Sequence, residues 1–552
     1  MENVKYSSLA NLGEDFHRAF DSALSHQQKR FGQSHPLFIH GHAVNSGNGH
    51  FPDVAPSDTR LVLGKFQLGT REQVRRAITA AREALAVWND LTWQNRISFL
   101  RKAAELMRSH QYDLAALLCL EVGKNRFEAI AEVSESIDLI LYYCQQMETN
   151  DGFEKPMAGS RTERTKTILK PYGVWAVVSP FNFPLALSTG MVTGALLAGN
   201  TVVFKPASDS PFAGLRLYEL FHQAGLPVGV FNYVTGAGAV VGAELIENPD
   251  IDGFIFTGSK AVGMEIYRRF LNKDYPRPCI AEMGGKNAAI IMPSAKIEDA
   301  AEGVMRSAFG MGGEKCSACS RVYAHKQIIK PFMEALVEKS KAQKIGSPAD
   351  RDTFLGPLIN EHALGKYQKA VALGKREGTV LYGGHRLTKG EFSHGFFVEP
   401  AIITDAPTNS KLFEEEFFAP VLTVTDIKSL DEAITLANNS GYGLTAGIFT
   451  ENGQEQEEFF TRIQAGAIYC NRRGGATTGA WPGVQSFGGW KGSGSTGKNA
   501  LGPHYIQQFM REQSQTIVLP EPSGPTQAPQ FDAFQRRGMD HTDAISPHPR
   551  RW

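Results

Sequence analysis

The chain is 552 residues long, with 57 Lys+Arg against 57 Asp+Glu, 42% hydrophobic and 21% charged residues. That length exceeds what one hydrophobic core supports, so two or more domains are expected, and the balanced charge argues against nucleic acid or an anionic membrane as partner. Six cysteines in so long a chain make no disulfide framework, the polar N-terminus is unlike a signal peptide, and the most apolar stretch, 173–204, is broken by proline, asparagine and glycine, so a cytoplasmic protein with no membrane span is expected.

Residues 1–34 read as a polar helical arm. From Arg71 to about residue 150 apolar positions recur at intervals of three and four, the period of helices packed on one face. From 173 to 290 short β-branched runs, starting at Val174, Asn200, Phe231 and Asp252, alternate with helical segments; such alternation implies βαβ units and a parallel sheet. A second α/β stretch, about 290–480, opens with a helix over 297–309. Segments 156–171 and 497–519 are strand-like, and the proline-rich tail 520–552 has the composition of a disordered segment. The fold class is α/β.

The chemistry concentrates in two glycine-rich turns. Phe309-Gly-Met-Gly-Gly-Glu-Lys-Cys316-Ser-Ala-Cys319-Ser-Arg321 delivers a thiol with Lys315 beside it, and a nearby cation favours the thiolate that attacks carbonyls. Thirty-four residues earlier, Ala281-Glu282-Met-Gly-Gly-Lys286-Asn287 holds a carboxylate beside a glycine pair, placed to take a proton from water. Cys316-Ser-Ala-Cys319 has redox spacing, but no second such pair or histidine pair accompanies it, so no metal site is expected; Cys319 is read as a neighbour able to trap an oxidised Cys316.

These two segments resemble the active site of the aldehyde dehydrogenase superfamily, and Gly-Glu-Lys-Cys316-Ser-Ala-Cys-Ser-Arg resembles the form carried by its 1-pyrroline-5-carboxylate dehydrogenases. So do Glu121-Val-Gly-Lys-Asn-Arg-Phe-Glu-Ala and Thr478-Gly479-Ala480-Trp-Pro-Gly-Val-Gln-Ser-Phe487-Gly-Gly. The resemblance covers roughly residues 35 to 519. It implies a Rossmann-like NAD(P)-binding domain over 35–155 and 172–285, an α/β catalytic domain over 286–484, and a bridging element from 156–171 and 497–519 that builds a homodimer or higher even oligomer.

The resemblance also implies roles. Cys316 is the nucleophile, Glu282 the base, and Asn182 of Ser179-Pro-Phe-Asn-Phe-Pro the donor that, with the Cys316 amide, holds the oxyanion. Strand-to-helix turn Thr257-Gly258-Ser259-Lys-Ala-Val-Gly263 presents free N–H groups to a pyrophosphate. Lys205, with Ser208 close by, matches the lysine at the adenosine ribose, and Glu416, with Phe418, the glutamate at the nicotinamide ribose. Ser317, Gly479 and Ala480 match the residues whose backbone amides bind the substrate carboxylate, a nest left open by small side chains; Phe183 and Phe487 match its aromatic walls. Trp481-Pro482, Ser486, Glu314, Ala419 and Arg472-Arg473 depart from the usual forms, and Trp481 beside the anchor is bulky enough to reshape the pocket.

The expected activity is NAD(P)-dependent oxidation of L-glutamate γ-semialdehyde to glutamate through a cysteine thioester, with NAD as the cofactor and NADP open. A dehydrogenase of another semialdehyde or aliphatic aldehyde is the nearest alternative; a redox-sensing or structural pseudoenzyme on the same fold is the alternative of another class. A CoA-acylating enzyme fits less well, because a CoA acceptor needs no water-activating Glu282.

Overall fold

The computed structural model describes residues 12–160, 162–271, 275–474 and 479–520; the expected disordered tail falls, beyond its first residue, outside them. The helical region predicted after Arg71 is four helices, Arg71–Asp90, Trp93–Ser109, Gln111–Val122 and Arg126–Thr149. Local sequence sets their starts. Thr70 accepts from Gln73 N while Gln73 Oε1 accepts from Thr70 N, and Thr92 and Asn95 repeat the arrangement, so orphan amides at each first turn are satisfied reciprocally. Asn125 caps the long Arg126–Thr149 helix by accepting from Glu128 N at 2.9 Å.

Two seven-stranded sheets carry the molecule. In the first, the order is Cys279–Glu282, Gly253–Thr257, Val174–Val178, Thr201–Lys205, Phe231–Tyr233, Leu37–Ile39, His42–Val44. The first five run parallel and the last two close the edge antiparallel. The second has the order Thr379–Tyr382, Ala401–Thr404, Val421–Ile427, Cys319–His325, Asn287–Ile291, Thr445–Phe449, Ala467–Cys470, parallel except for its first pair. Helix Ala186–Leu197, mostly apolar, is buried except at Leu187, which lines the cavity described below.

Chain direction brings the site together. The C-terminal ends of Val174–Val178, Thr201–Lys205, Gly253–Thr257 and Cys279–Glu282 share one edge of the first sheet, where open parallel sheets bind ligands. Glu282 ends the last of these and Asn287 begins the second sheet, so four intervening residues carry the chain from one sheet to the other.

Three antiparallel strands, Glu154–Pro156, Glu163–Pro171 and Met510–Val518, form a separate sheet in register from Met510↔Pro171 to Val518↔Glu163. The strand expected over 497–519 thus begins only at Met510. Before it the chain turns, and Tyr505 and Phe509 drop into the core, Phe509 against Trp175 at 4.7 Å, which extended backbone would not allow. Within the expected arm, the described residues form a helix at Glu14–Gln28 followed by a strand at Gln33–His35.

Candidate active site

Helix Ile297–Phe309 ends in a Gly310–Gly313 turn whose residues 311 to 313 all have positive φ, 53°, 63° and 65°. A side chain at 313 would strike the backbone of Ala419 and Pro420, so glycine there is a steric requirement. The turn presents Cys316 just ahead of its strand. Asn287 then fixes the loop: its Nδ2 donates to the Cys316 carbonyl at 2.7 Å and to the Ala318 carbonyl at 2.9 Å, and its Oδ1 accepts from Thr445 N. Asn287 stands in the glutamate motif and sequence reasoning gave it no role; its adjacency to Lys286 was the available signal. Asn182 is buried and donates from Nδ2 to the Glu314 carbonyl at 3.0 Å, two residues before Cys316.

Lys315, expected to favour the thiolate, holds its ammonium in a pair with Glu128 at 3.2 Å. Burial pushes the thiol up to about 12, with Glu416 and Glu282 adding to it and the Ser317 and Cys316 amides opposing. Cys319 is buried in the apolar core of the second sheet, where its thiol donates to the Arg321 carbonyl; it is packed as a core residue rather than presented to the cavity.

Glu282 is almost enclosed. Its Oε2 has no hydrogen-bond partner among the described residues, and burial raises its carboxyl to about 8 against the Gly489 amide. Glu314, where glutamine is usual, is buried and pushed well above the ordinary carboxylate range by desolvation, with Oε1 accepting from Ile359 N.

Phe183, Glu282, Cys316, Ser317, Ala480 and Phe487 line one cavity. Helix Arg126–Thr149 supplies the opposite wall through Glu135, Leu139 and Tyr143; the sequence reading gives Glu135 no role. Gly479 has φ +78°, a conformation that favours glycine, and lies against the Arg472 guanidinium. Trp481 is buried on Ala131 and Phe183 with its indole on Asp138, so it backs the wall instead of filling the pocket.

The Asn182–Phe183 loop has its own support. Lys124 and Glu132, both fully buried, form an ion pair. Glu132 Oε1 accepts from Leu185 N and Ala186 N at 2.9 and 3.1 Å, and the Lys124 ammonium sits 3.7 Å from the Phe183 ring centroid.

Residues 43–515 match the model of the aldehyde dehydrogenase family. The chain belongs to the aldehyde dehydrogenase family. It is 36% identical to a 1-pyrroline-5-carboxylate dehydrogenase of Geobacillus sp. (strain WCH70), over 94% of this chain and 99% of the relative. Against 1-pyrroline-5-carboxylate dehydrogenase 1 of Halalkalibacterium halodurans it is 36% identical over 90% and 95%. The structure of a 1-pyrroline-5-carboxylate dehydrogenase from Thermus with bound NAD superposes with a TM-score of 0.88 at 34% identity, covering 94% of this chain and 99% of that one.

In this aldehyde dehydrogenase the residues expected to hold a dinucleotide follow the ends of the first sheet's strands. Lys205 is buried at the end of Thr201–Lys205, donates to the Pro206 carbonyl at 3.0 Å, and is lowered to about 8 by burial; Ser208 nearby is exposed. Gly258 and Ser259 lead from Gly253–Thr257 into helix Lys260–Leu271, with Ser259 Oγ accepting from Val262 N. Gly263 packs beneath Met283, with no space for a Cβ. Glu416 reaches across to the glutamate turn, Oε1 accepting from Gly285 N at 2.8 Å, and burial raises it to about 7. Phe418 holds φ +53° and meets Phe181 edge-on. No helix among the described residues is long and apolar enough to cross a membrane, and none of their side chains form a three-ligand metal group.

Proposed function

We propose that this aldehyde dehydrogenase oxidises L-glutamate γ-semialdehyde, the open form of 1-pyrroline-5-carboxylate, to L-glutamate. The observation that carries the reading is one cavity with Cys316 and Glu282 facing it, Phe183 and Phe487 on its walls, and Ser317 and Ala480 at its margin. Aromatic walls suit the aliphatic chain, and uncovered amides suit a terminal carboxylate. Glu135, on the helical wall of the same cavity, offers a carboxylate suited to the α-ammonium. The names of the relatives, at 36% identity over nearly their whole length, support the same substrate.

In the proposed mechanism Cys316 gives up its proton to water, its Sγ attacks the aldehyde carbon, and the oxygen that gains charge is met by Asn182 Nδ2–H and the Cys316 N–H. The resulting thiohemiacetal loses hydride and becomes a thioester. Glu282 then takes a proton from water, the hydroxide adds to the thioester carbon, and the C–S bond breaks to release glutamate and the thiol. NAD+, when bound, supplies the hydride acceptor. Glu416, Lys205 and the free N–H groups at the start of helix Lys260–Leu271 are the groups that would hold it. The fit is chemical: a buried carboxylate suits ribose hydroxyls, and a helix N-terminus suits a pyrophosphate. Ser208, neutral and exposed, leaves NADP+ room. Residues 35–155 with 172–285 would form the cofactor domain and 286–484 the catalytic one. The three-stranded sheet would join copies into a homodimer or larger even assembly in the cytoplasm.

The test is NAD+ reduction with 1-pyrroline-5-carboxylate, succinate semialdehyde and hexanal, in wild type and Cys316→Ala. Preference for the first, abolished by the substitution, is expected. Activity on hexanal alone would keep the chemistry and overturn the substrate.

A further inference from the structure

The turn that carries Gly479 and Ala480 is tied to a distant helix. Trp481 is 3% exposed, and its indole Nε1–H donates to Asp138 Oδ2 at 2.7 Å across 343 positions of sequence. Asp138 lies on helix Arg126–Thr149 between Glu135 and Leu139, both of which line the cavity. The indole ring packs on Ala131 of the same helix and on Phe183. One side chain therefore touches the helical wall, an aromatic wall and the turn bearing the proposed carboxylate anchor.

That turn is stiff. Val484 N and Gln485 N both donate to the Trp481 carbonyl, at 2.9 and 3.1 Å, while Trp481 N donates to the Gln485 carbonyl at 3.2 Å. Phe487 N, closing the segment, donates to the Ala500 carbonyl at 2.8 Å. A displacement at Trp481 is thus carried to Ala480 on one side and Phe487 on the other. A buried indole N–H seeks a partner, and a carboxylate is a strong one.

We propose that the Trp481–Asp138 hydrogen bond is a specificity latch: a positioning pair that fixes the Gly479 and Ala480 amides at the distance from Cys316 suited to a five-carbon aldehyde ending in a carboxylate. The inference rests on the glutamate semialdehyde reading and adds the pair that sets its discrimination. Neither residue touches the reacting atoms, so the latch acts on binding of the carboxylate end and leaves the chemical step alone.

Steady-state kinetics with 1-pyrroline-5-carboxylate and with pentanal, which lacks the carboxylate, test this in Trp481→Phe, Asp138→Ala, their double variant and Asp138→Asn. Loss of one charge-assisted hydrogen bond is expected to raise KM for 1-pyrroline-5-carboxylate roughly tenfold, with kcat and the pentanal constants little changed. The double variant is expected to match the single ones, and Asp138→Asn, which keeps an acceptor oxygen, to restore most of the affinity. Equal losses on both substrates, additive effects in the double variant, or Asp138→Asn as impaired as Asp138→Ala would overturn the latch. If wild type prefers 1-pyrroline-5-carboxylate and all variants keep that preference, the latch alone fails. If wild type shows no such preference, the substrate reading falls and the latch with it.

Discussion

Cys316 and Glu282 share a cavity in which removing either charge from water costs more than the neighbouring amides return. Both are therefore neutral at pH 7, with opposite consequences. Glu282 must lose a proton to act as a base, and with its carboxyl at about 8 the active fraction falls about tenfold per unit below that point. The hydrolytic step should accordingly rise with pH to about 8 and level off, read from kcat when thioester breakdown limits. In Glu282→Gln a burst of NADH without turnover is expected; normal turnover would remove Glu282 from the mechanism. The thiol, at about 12, should react with iodoacetamide ever faster through the alkaline range. A plateau near neutrality would mean that a cation, Lys315 first of all, does act on it. Asn182→Ala, which on the proposed mechanism deletes one oxyanion donor, should lower kcat about 10²–10³-fold with KM little moved.

Among the elements, helix Arg126–Thr149 organises the site: Glu128 holds Lys315, Glu132 holds Lys124 and the Leu185 and Ala186 amides, and Glu135, Leu139 and Tyr143 form a wall. Breaking a fully buried pair on one side strands the other charge, at a cost of about 3–5 kcal/mol. Glu132→Ala should therefore lower the urea midpoint sharply, whereas Lys124→Met with Glu132→Gln should recover much of it, because glutamine still offers an oxygen to the two helix amides. Equal midpoints for the two variants would show that the charge pairing is irrelevant. The sequence resolves this helix and the β-branched strands from Val174 to Thr257 because their periodicity is local. It does not resolve Leu37–Ile39 and His42–Val44, three residues each, which are strands only because Tyr233 pairs with Phe38 nearly 200 positions earlier. The same limit applies within the site. Cys316, Glu282 and Asn182 were legible from motifs, whereas the Lys315–Glu128 pair and the turning of Trp481 away from the cavity depend on what a distant helix offers.

For the whole molecule, the two large sheets meet through the Glu282–Asn287 crossing, while the three-stranded sheet stands apart with an unfinished edge. Met510–Val518 pairs along nine positions with Glu163–Pro171 and has no strand on its other side among the described residues. Ile517 and Val518 are 62% and 71% exposed there. A long open edge with apolar side chains invites pairing and is normally blunted or covered; here the only charges along the strand are Arg511 and Glu512, at its start. A second copy is the partner whose edge would be equally open, and a two-fold pairing leaves neither edge free. Replacing both exposed residues, Ile517→Glu with Val518→Glu, puts like charges face to face across such a contact and should reduce the mass seen by light scattering to that of one chain. A wild type already monomeric, or a double variant of unchanged mass, would place the assembly contact elsewhere.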